Sequence, residues 1–215
     1  MFLFTFALPK EKMAELDQDT ETKIKKAAEK VFIERGYEGA KIRDIAEEAK
    51  VNIALVNYYF RSKEQLFKSI YMETFRAFFG QMVATLNEEA PLEVKVWKIV
   101  ERYTDFLLAN PLIPIFILSE LRQNSSDFFK ELKVRDMLQS SLLTQQLRQE
   151  ADKGNIRPIE PLQFVVSVLG SVVFPFVARP IISYIGDLDE AGFRKFMEER
   201  KRIAPEMIMS YLRLR

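Results

Sequence analysis

Between Ile42 and Phe60 the apolar positions follow two short helical repeats with a break between them. The first repeat falls at positions i, i+3, i+4 and i+7 of a helix, at Ile42, Ile45, Ala46 and Ala49. Asn52 can cap a second helix that continues to Phe60, because its side chain can accept a hydrogen bond from a free amide of the first turn. The pattern therefore predicts two short helices joined by a tight turn near Lys50.

This pair of helices is typical of a helix-turn-helix. Ala46 is small enough to let the two helices approach, and Val56 and Phe60 are predicted to point inward from the second helix. In a helix-turn-helix the second helix enters the major groove of DNA. The pattern therefore makes DNA binding the first expectation for residues 42–60.

Apolar stripes of helical period lie on both sides of this pair. Asp19 or Thr20 is predicted to cap the preceding helix, and Gly36 is predicted to end it in a left-handed conformation. Ser62 is predicted to cap the following helix. The apolar face of that helix runs from Leu66 to Met82, which is more than a small DNA-binding domain needs. We therefore expect it to continue into a second domain.

From Pro91 onward the helical pattern continues without strong strand signals. Further helices are predicted at residues 96–107, 115–121, 128–153, 162–178 and 189–214. The run from Leu162 to Ala178 contains no charged residue, but it is shorter than the roughly 20 residues of a membrane span and contains Pro175. We interpret it as a helix covered by its own domain on one side and by a second subunit on the other, so no membrane partner is expected.

Composition narrows the chemistry of the chain. It has 215 residues, with 32 Lys and Arg against 31 Asp and Glu, and contains neither cysteine nor histidine. Disulfides, thiolate nucleophiles and the commonest general base are therefore excluded, and neither a metal nor a cofactor is expected. Residues 20–70 hold 11 Lys and Arg against 8 Asp and Glu, a local charge of +3. DNA binding would thus depend on where individual charges lie.

Four landmarks occur in order along the first third of the chain: GY at Gly36, IRDIAEEA from Ile42, NYYF from Asn57 and SKEQL from Ser62. In this order they resemble the tetracycline-repressor-like (TetR) family of transcriptional regulators. The resemblance implies an all-α fold, with an N-terminal three-helix DNA-binding domain containing the helix-turn-helix and a larger helical C-terminal domain for ligand binding and dimerisation. We place an N-terminal tail at 1–19, the DNA-binding domain at 20–66 and the C-terminal domain at 67–215.

The residues predicted to contact DNA lie on the second helix of the motif and at its flanks. Asn57 can pair bidentately with adenine, and Ile53 or Leu55 can contact a thymine methyl group. Tyrosine hydroxyls and Lys63 suit phosphates. The full set is Lys41, Arg43, Asn52, Ile53, Leu55, Asn57, Tyr58, Tyr59 and Lys63. As an alternative, Leu55 and one tyrosine pack against the first helix of the motif.

Two positions depart from the pattern of the family. Relatives usually carry Ser or Thr near Ala40, where it caps the next helix and contacts a phosphate. Alanine does neither, and a missing cap costs about 1 kcal/mol, so Lys41 or Arg43 is expected to contact the DNA backbone instead. Glycine is usual at the turn, where this chain has Lys50. A left-handed Lys50 would carry a strain of roughly 1–2 kcal/mol.

The resemblance also implies a homodimer, formed through the last two long helices, and a small-molecule pocket in the C-terminal domain. Two recognition helices related by a dyad contact half-sites of a near-palindromic double-stranded operator, roughly 34–36 Å apart. No cluster of charges marks a polar ligand, so the predicted effector is apolar or amphipathic. The predicted pocket residues are Trp97, Tyr103, Phe106, Phe116, Phe164 and Phe174, with Glu120 and Arg122 as polar anchors. Each aromatic side chain can equally belong to the core.

Two other classes of function stay open. A helical enzyme could use the carboxylate pairs Glu47-Glu48 and Glu88-Glu89, but adjacent residues on a helix diverge in direction, which favours solvated faces. A helical protein-interaction module, whose helix-turn-helix does not bind DNA specifically, would fit the near-neutral charge and Ala40.

The first nine residues, Met1 to Pro9, are apolar and lack the basic region of a signal peptide. We interpret them as a frayed or partner-docked tail. The absence of an export signal and the family resemblance together predict a cytoplasmic location in a bacterium.

Overall fold

The computed structural model describes residues 10–119 and 133–213, with side chains from residue 18 onward, and these residues are helical apart from short connections. Helix α1 spans Lys10–Gly39 and is followed by α2 (Ile42–Ala49), α3 (Ile53–Phe60) and α4 (Lys63–Leu86). The predicted all-α class, with an N-terminal helix-turn-helix and a helical C-terminal part, is confirmed.

Helix α1 begins at Lys10, so the prediction that Asp19 or Thr20 caps it is wrong. Residues 10–18, which precede Asp19 in the helix, contain Lys, Glu, Ala and Leu and no Gly or Pro, and such residues propagate a helix. Asp19 instead forms an (i, i+4) ion pair with Lys23 at 3.3 Å. Gly36 has φ 67° and ψ 179° and separates two helical segments within α1. This confirms the positive φ and the helix end expected there, although a second short segment continues to Gly39.

The remaining helices follow in order along the chain. They are α5 (Leu92–Ala109), α6 (described at residues 113–119), α7 (Val134–Gln139), α8 (Leu142–Asp152), α9 (Pro161–Val177), α10 (Arg179–Gly186) and α11 (Glu190–Leu212). The described part of the predicted helix 128–153 is broken between α7 and α8. Ser141 starts α8 by accepting a hydrogen bond from the Thr144 amide at 3.2 Å, and this local bond competes with continuation of α7.

The described chain forms two compact units, divided inside α4 between Thr74 and Phe75. In the first unit α1 packs on α2 and α2 packs on α3. The Phe32 side chain is fully buried, and its ring meets the edge of Phe67 with centroids 4.9 Å apart. This core fixes the helix-turn-helix against α1.

The second unit is built around α5, which packs against α9 and α11. Val96, Leu107, Phe164 and Met197 are among its buried side chains. Lys95 is also buried, and its ammonium group donates a hydrogen bond of 3.1 Å to the Leu86 carbonyl at the carboxyl end of α4. Desolvation lowers the pKa of Lys95, while the carbonyl end of a helix favours a cation.

Some predictions lie outside the described residues: the tail Met1–Pro9 and the polar ligand anchors Glu120 and Arg122. Within the described ranges, no individual helix combines the length and hydropathy needed to cross a membrane. Helices α9 and α10 meet that criterion only when taken together, and they are bent by 73° at the break between them.

Candidate nucleic-acid interface

The turn between α2 and α3 is built by three backbone and side-chain bonds. Lys50 is left-handed, with φ 55° and ψ 43°, and its amide donates to the Glu47 carbonyl at 3.1 Å. The Val51 amide donates to the Ala46 carbonyl at 3.0 Å. Asn52 then caps α3, because its Oδ1 accepts a hydrogen bond from the Ala54 amide at 2.9 Å. The predicted cap is confirmed, and Lys50 adopts the left-handed conformation that carries backbone strain for a residue other than glycine.

We expect Lys50→Gly to stabilise the protein by about 0.5–1 kcal/mol, since glycine takes this left-handed conformation without the side-chain clash. Lys50→Ala is the matched control, because it removes the same charge and keeps the clash. The free energy of unfolding in urea measures the difference. Equal stability of the Gly and Ala variants would mean that the turn is not strained.

The start of α2 lacks the side-chain cap of a Ser or Thr, and Asp44 supplies a substitute. Ala40 is buried, and Lys41 occupies the N-cap position. The Lys41 amide donates to Asp44 Oδ2 at 3.3 Å, and the Arg35 guanidinium donates to the same oxygen at 2.8 Å. Sequence analysis missed this role of Asp44, although an acidic residue at the third helical position is the signal that identifies it.

Helix α3 presents one face to solvent and buries the other. Val56 and Phe60 are buried, as predicted. Ile53, Leu55 and Tyr58 are exposed by 43%, 40% and 73%, and these exposures argue against packing of Leu55 on α2. The exposed side chains of α3 are Ile53, Ala54, Leu55, Asn57 and Tyr58, while Tyr59 is half-buried. A contiguous outward face of this kind is what a helix needs to enter a groove.

Three of the other predicted DNA contacts are already engaged within the protein, whereas the Lys41 side chain is exposed. Arg43 donates from Nε to Glu47 Oε1 at 3.0 Å, and both side chains are exposed. The Lys63 ammonium lies 4.3 Å from the centroid of the Tyr37 ring, an attraction between a cation and the ring face. Asn52 uses its carbonyl oxygen as the cap of α3. The partners Glu47 and Tyr37 were not predicted from the sequence.

Three of the four carboxylates in the pairs that an enzyme would need are held in ion pairs. Glu47 pairs with Arg43, and Glu48 pairs with Lys30 at 2.8 Å. Hydrogen bonds from Lys98 and Arg102 lower the pKa of Glu88, which disfavours a role as a general acid. The described residues contain no group of acidic side chains placed to hold a metal ion.

The aromatic residues predicted to bind a ligand do not form one cluster. The Tyr103 hydroxyl donates to the Phe78 carbonyl at 2.6 Å, and burial raises the pKa of its phenol. Phe106 also lies near Phe78, with ring centroids 6.0 Å apart. Phe116 and Phe164 are buried, Trp97 is half-buried, and Phe174 is 63% exposed. Phe174 therefore faces away from the core that encloses the buried members of the set.

A groove of about 480 Å³ lies between α9 and α11. Its walls include the apolar side chains of Phe164, Met207 and Tyr211 and the polar side chains of Gln163 and Ser167. Of the predicted ligand residues that are described, Phe164 lines it. The groove thus joins one predicted ligand residue to the surface shared by the last two long helices.

Comparison with known proteins relates these features to characterised relatives. The family model described as bacterial regulatory proteins, tetR family, matches residues 24–70, which include α2 and α3. The chain is 38% identical over 96 residues to the HTH-type transcriptional repressor NicS of Pseudomonas putida. This match covers 41% of the chain and 45% of NicS, so the chain spans less than half the length of this curated relative. The relatives found are regulators rather than enzymes.

Two solved structures share the fold over most of the chain. HlyIIR, a hemolysin II transcriptional regulator, is 24% identical with a TM-score of 0.59, covering 93% of this chain and 99% of its own. The transcriptional regulator FadR from Bacillus subtilis, in complex with stearoyl-CoA, is 19% identical with a TM-score of 0.61. That likeness covers 89% of this chain and 98% of FadR. At these identities the likeness establishes the helical fold alone.

Proposed function

We propose that this chain, whose residues 24–70 match the model of the tetR family of bacterial regulatory proteins, is a transcriptional repressor of that family that binds a near-palindromic operator as a homodimer and is released by a small effector. We assign DNA binding to residues 20–66 and ligand binding and dimerisation to residues 67–215. The observation on which this depends is the outward face of α3, held in place by buried Val56 and Phe60.

Base contacts come from the exposed face of α3. Asn57 pairs with adenine, and Ile53 or Leu55 contacts a thymine methyl group. Tyr58, Tyr59 and the basic side chains of Lys41, Arg43 and Lys63 contact phosphates, which position the helix without specifying sequence. The role of Asn52 as the cap of α3 favours a positioning function for this residue over direct contact with a base.

The dimer forms through α9 and α11. The outer face of α9 exposes Leu162 by 63%, Val166 by 55% and Phe174 by 63%, at i, i+4 and i+12, which lie within about 120° of one another around the helix. On α11, Met207 and Tyr211 are exposed by 64% and 56%. Exposed apolar side chains of this size on two neighbouring helices favour burial against a second copy. Ile181, Tyr184 and Ile185 of α10 continue the exposed apolar surface beyond α9.

The effector binds in the C-terminal unit and is apolar or amphipathic. The buried aromatic side chains of this unit, and the amphipathic stearoyl-CoA bound by the structurally similar FadR, both favour such a ligand. An effector acts by binding more tightly to a dimer whose recognition helices no longer match the spacing of the operator. The factor by which the effector changes the equilibrium between the two states of the dimer cannot exceed the ratio of its affinities for them.

A second candidate is a protein-interaction module without specific DNA binding. The pairing of Arg43 with Glu47 and the buried Ala40 at the start of α2 favour it, because both reduce the groups available to phosphates. A titration of duplex binding against salt separates the two functions. For the repressor, the logarithm of the affinity falls linearly with the logarithm of the salt concentration, with a slope set by the number of phosphate contacts. Absence of salt-dependent binding to any duplex would favour the interaction module.

We expect Glu47→Gln to increase DNA affinity by up to about fivefold at low salt, since it removes an exposed ion pair that Arg43 must break to reach a phosphate. Glu101→Gln, which alters an exposed carboxylate of α5, is the matched control and should leave affinity unchanged. Fluorescence anisotropy with a labelled duplex measures both. An unchanged affinity for Glu47→Gln would remove Arg43 from the set of phosphate contacts.

A further inference from the structure

Helix α9 contains Pro175 in its last turns. In an α-helix the amide of residue i donates to the carbonyl of residue i−4, and proline has no amide hydrogen. The carbonyl of Ser171 therefore loses the partner that it would have in an unbroken helix. A buried carbonyl without a partner costs free energy comparable to a lost hydrogen bond.

The guanidinium group of Arg200, on the neighbouring helix α11, takes the place of the missing amide. Its Nε donates to the Ser171 carbonyl at 3.2 Å, and a terminal nitrogen donates to the same oxygen at 3.0 Å. Arg200 is half-buried, and desolvation lowers its pKa. Among the described residues no carboxylate lies within ion-pair distance of it.

The chemistry of this contact favours arginine over the alternatives. The planar guanidinium fork directs two N–H groups at one oxygen, whereas the lysine ammonium is a point charge on a flexible stem. A half-buried charge without a carboxylate partner costs free energy. The two hydrogen bonds to the Ser171 carbonyl offset this cost for Arg200.

We propose that Arg200 is a positioning residue that supplies the hydrogen bonds removed from α9 by Pro175. It thereby ties α11 to the turn of α9 that leads to Phe174, three residues beyond Ser171. Arg200 would therefore also hold part of the dimer interface in place, because Phe174 lies on the surface that is proposed to contact a second copy. This consequence rests on the proposed dimer. The contact itself lies within one protomer and does not depend on that assignment.

A double-mutant cycle tests this proposal. In Pro175→Ala the new amide can donate to Ser171, so Arg200 is no longer needed there. We expect Arg200→Met to raise the unfolding equilibrium constant about tenfold or more in the parent chain and less than about threefold in Pro175→Ala. Arg202→Met, which removes an exposed (i, i+4) pair with Glu206, is the matched control and should cost little in either background.

Urea unfolding at one fixed protomer concentration measures all the variants. An equal loss for Arg200→Met in both backgrounds would overturn the proposal, because simple packing of Arg200 does not depend on residue 175. If Arg200→Met alone fails to fold, folding of the double variant supports the proposal and its failure to fold overturns it. Sedimentation of the same proteins tests the dimer separately. If the parent chain is a monomer and the effect of Arg200→Met still depends on residue 175, the proposed dimer is contradicted and the Arg200 contact is supported.

Discussion

Val166→Asp is expected to convert the protein to a monomer and to lower its operator affinity by at least about 100-fold, to near its affinity for random DNA. Val166 lies on the uncharged outer face of α9 and is 55% exposed in the protomer. In the proposed dimer this side chain is buried, and an unpaired carboxylate there costs several kcal/mol. A monomer presents one recognition helix and contacts one half-site, so most of the sequence specificity is lost.

Val94→Asp is the control for this prediction, since it makes the same substitution on a surface outside the proposed interface. Val94 is 43% exposed in the first turn of α5, where a carboxylate is favoured by the helix dipole. Analytical ultracentrifugation gives the oligomeric state, and an operator titration gives the affinity. A dimeric Val166→Asp protein with full affinity would place the interface elsewhere.

Asn57→Ala is expected to weaken operator binding by roughly 30-fold to 20,000-fold, because a bidentate contact with adenine contributes about 1–3 kcal/mol in each of two half-sites. Binding to random DNA should change little, because Asn57 is not assigned to a phosphate. The exposure of Asn57 on α3 makes this contact possible, and the buried neighbour Val56 fixes the direction of the helix.

Tyr58→Phe provides the contrast for Asn57→Ala. The Tyr58 ring is 73% exposed, and loss of its hydroxyl removes a phosphate contact that is the same on every sequence. We therefore expect similar losses on operator and random DNA for Tyr58→Phe. Equal losses on the two duplexes for Asn57→Ala would show that Asn57 does not specify a base.

The local pattern of the sequence predicted the helix-turn-helix in detail. Asn52 identified the start of α3, and the burial of Val56 and Phe60 followed from helical periodicity. Such features depend on bonds between residues close in sequence, so a short stretch contains the information. The start of α1 was misplaced because Asp19 is as acceptable in an (i, i+4) ion pair as at a cap.

Contacts between distant residues could not be predicted in the same way. Lys63 and the Tyr37 ring lie on opposite sides of the helix-turn-helix in the sequence. Arg200 of α11 donates a hydrogen bond to Ser171 of α9. The ligand prediction grouped aromatic residues by type, whereas tertiary packing buries Phe164 and turns Phe174 outward. Helical period gives the face on which a residue lies, but not the partner which that face meets.

The central claim is that this chain is a dimeric, sequence-specific DNA-binding protein, and selection from a random duplex library tests it most directly. The selected duplexes should share a near-palindrome with half-sites roughly 34–36 Å apart, bound by two protomers. The logarithm of their affinity should fall linearly with the logarithm of the salt concentration, and each changed half-site base pair should cost about 1–3 kcal/mol. Recovery of no common sequence, with equally weak binding to every duplex, would contradict the account.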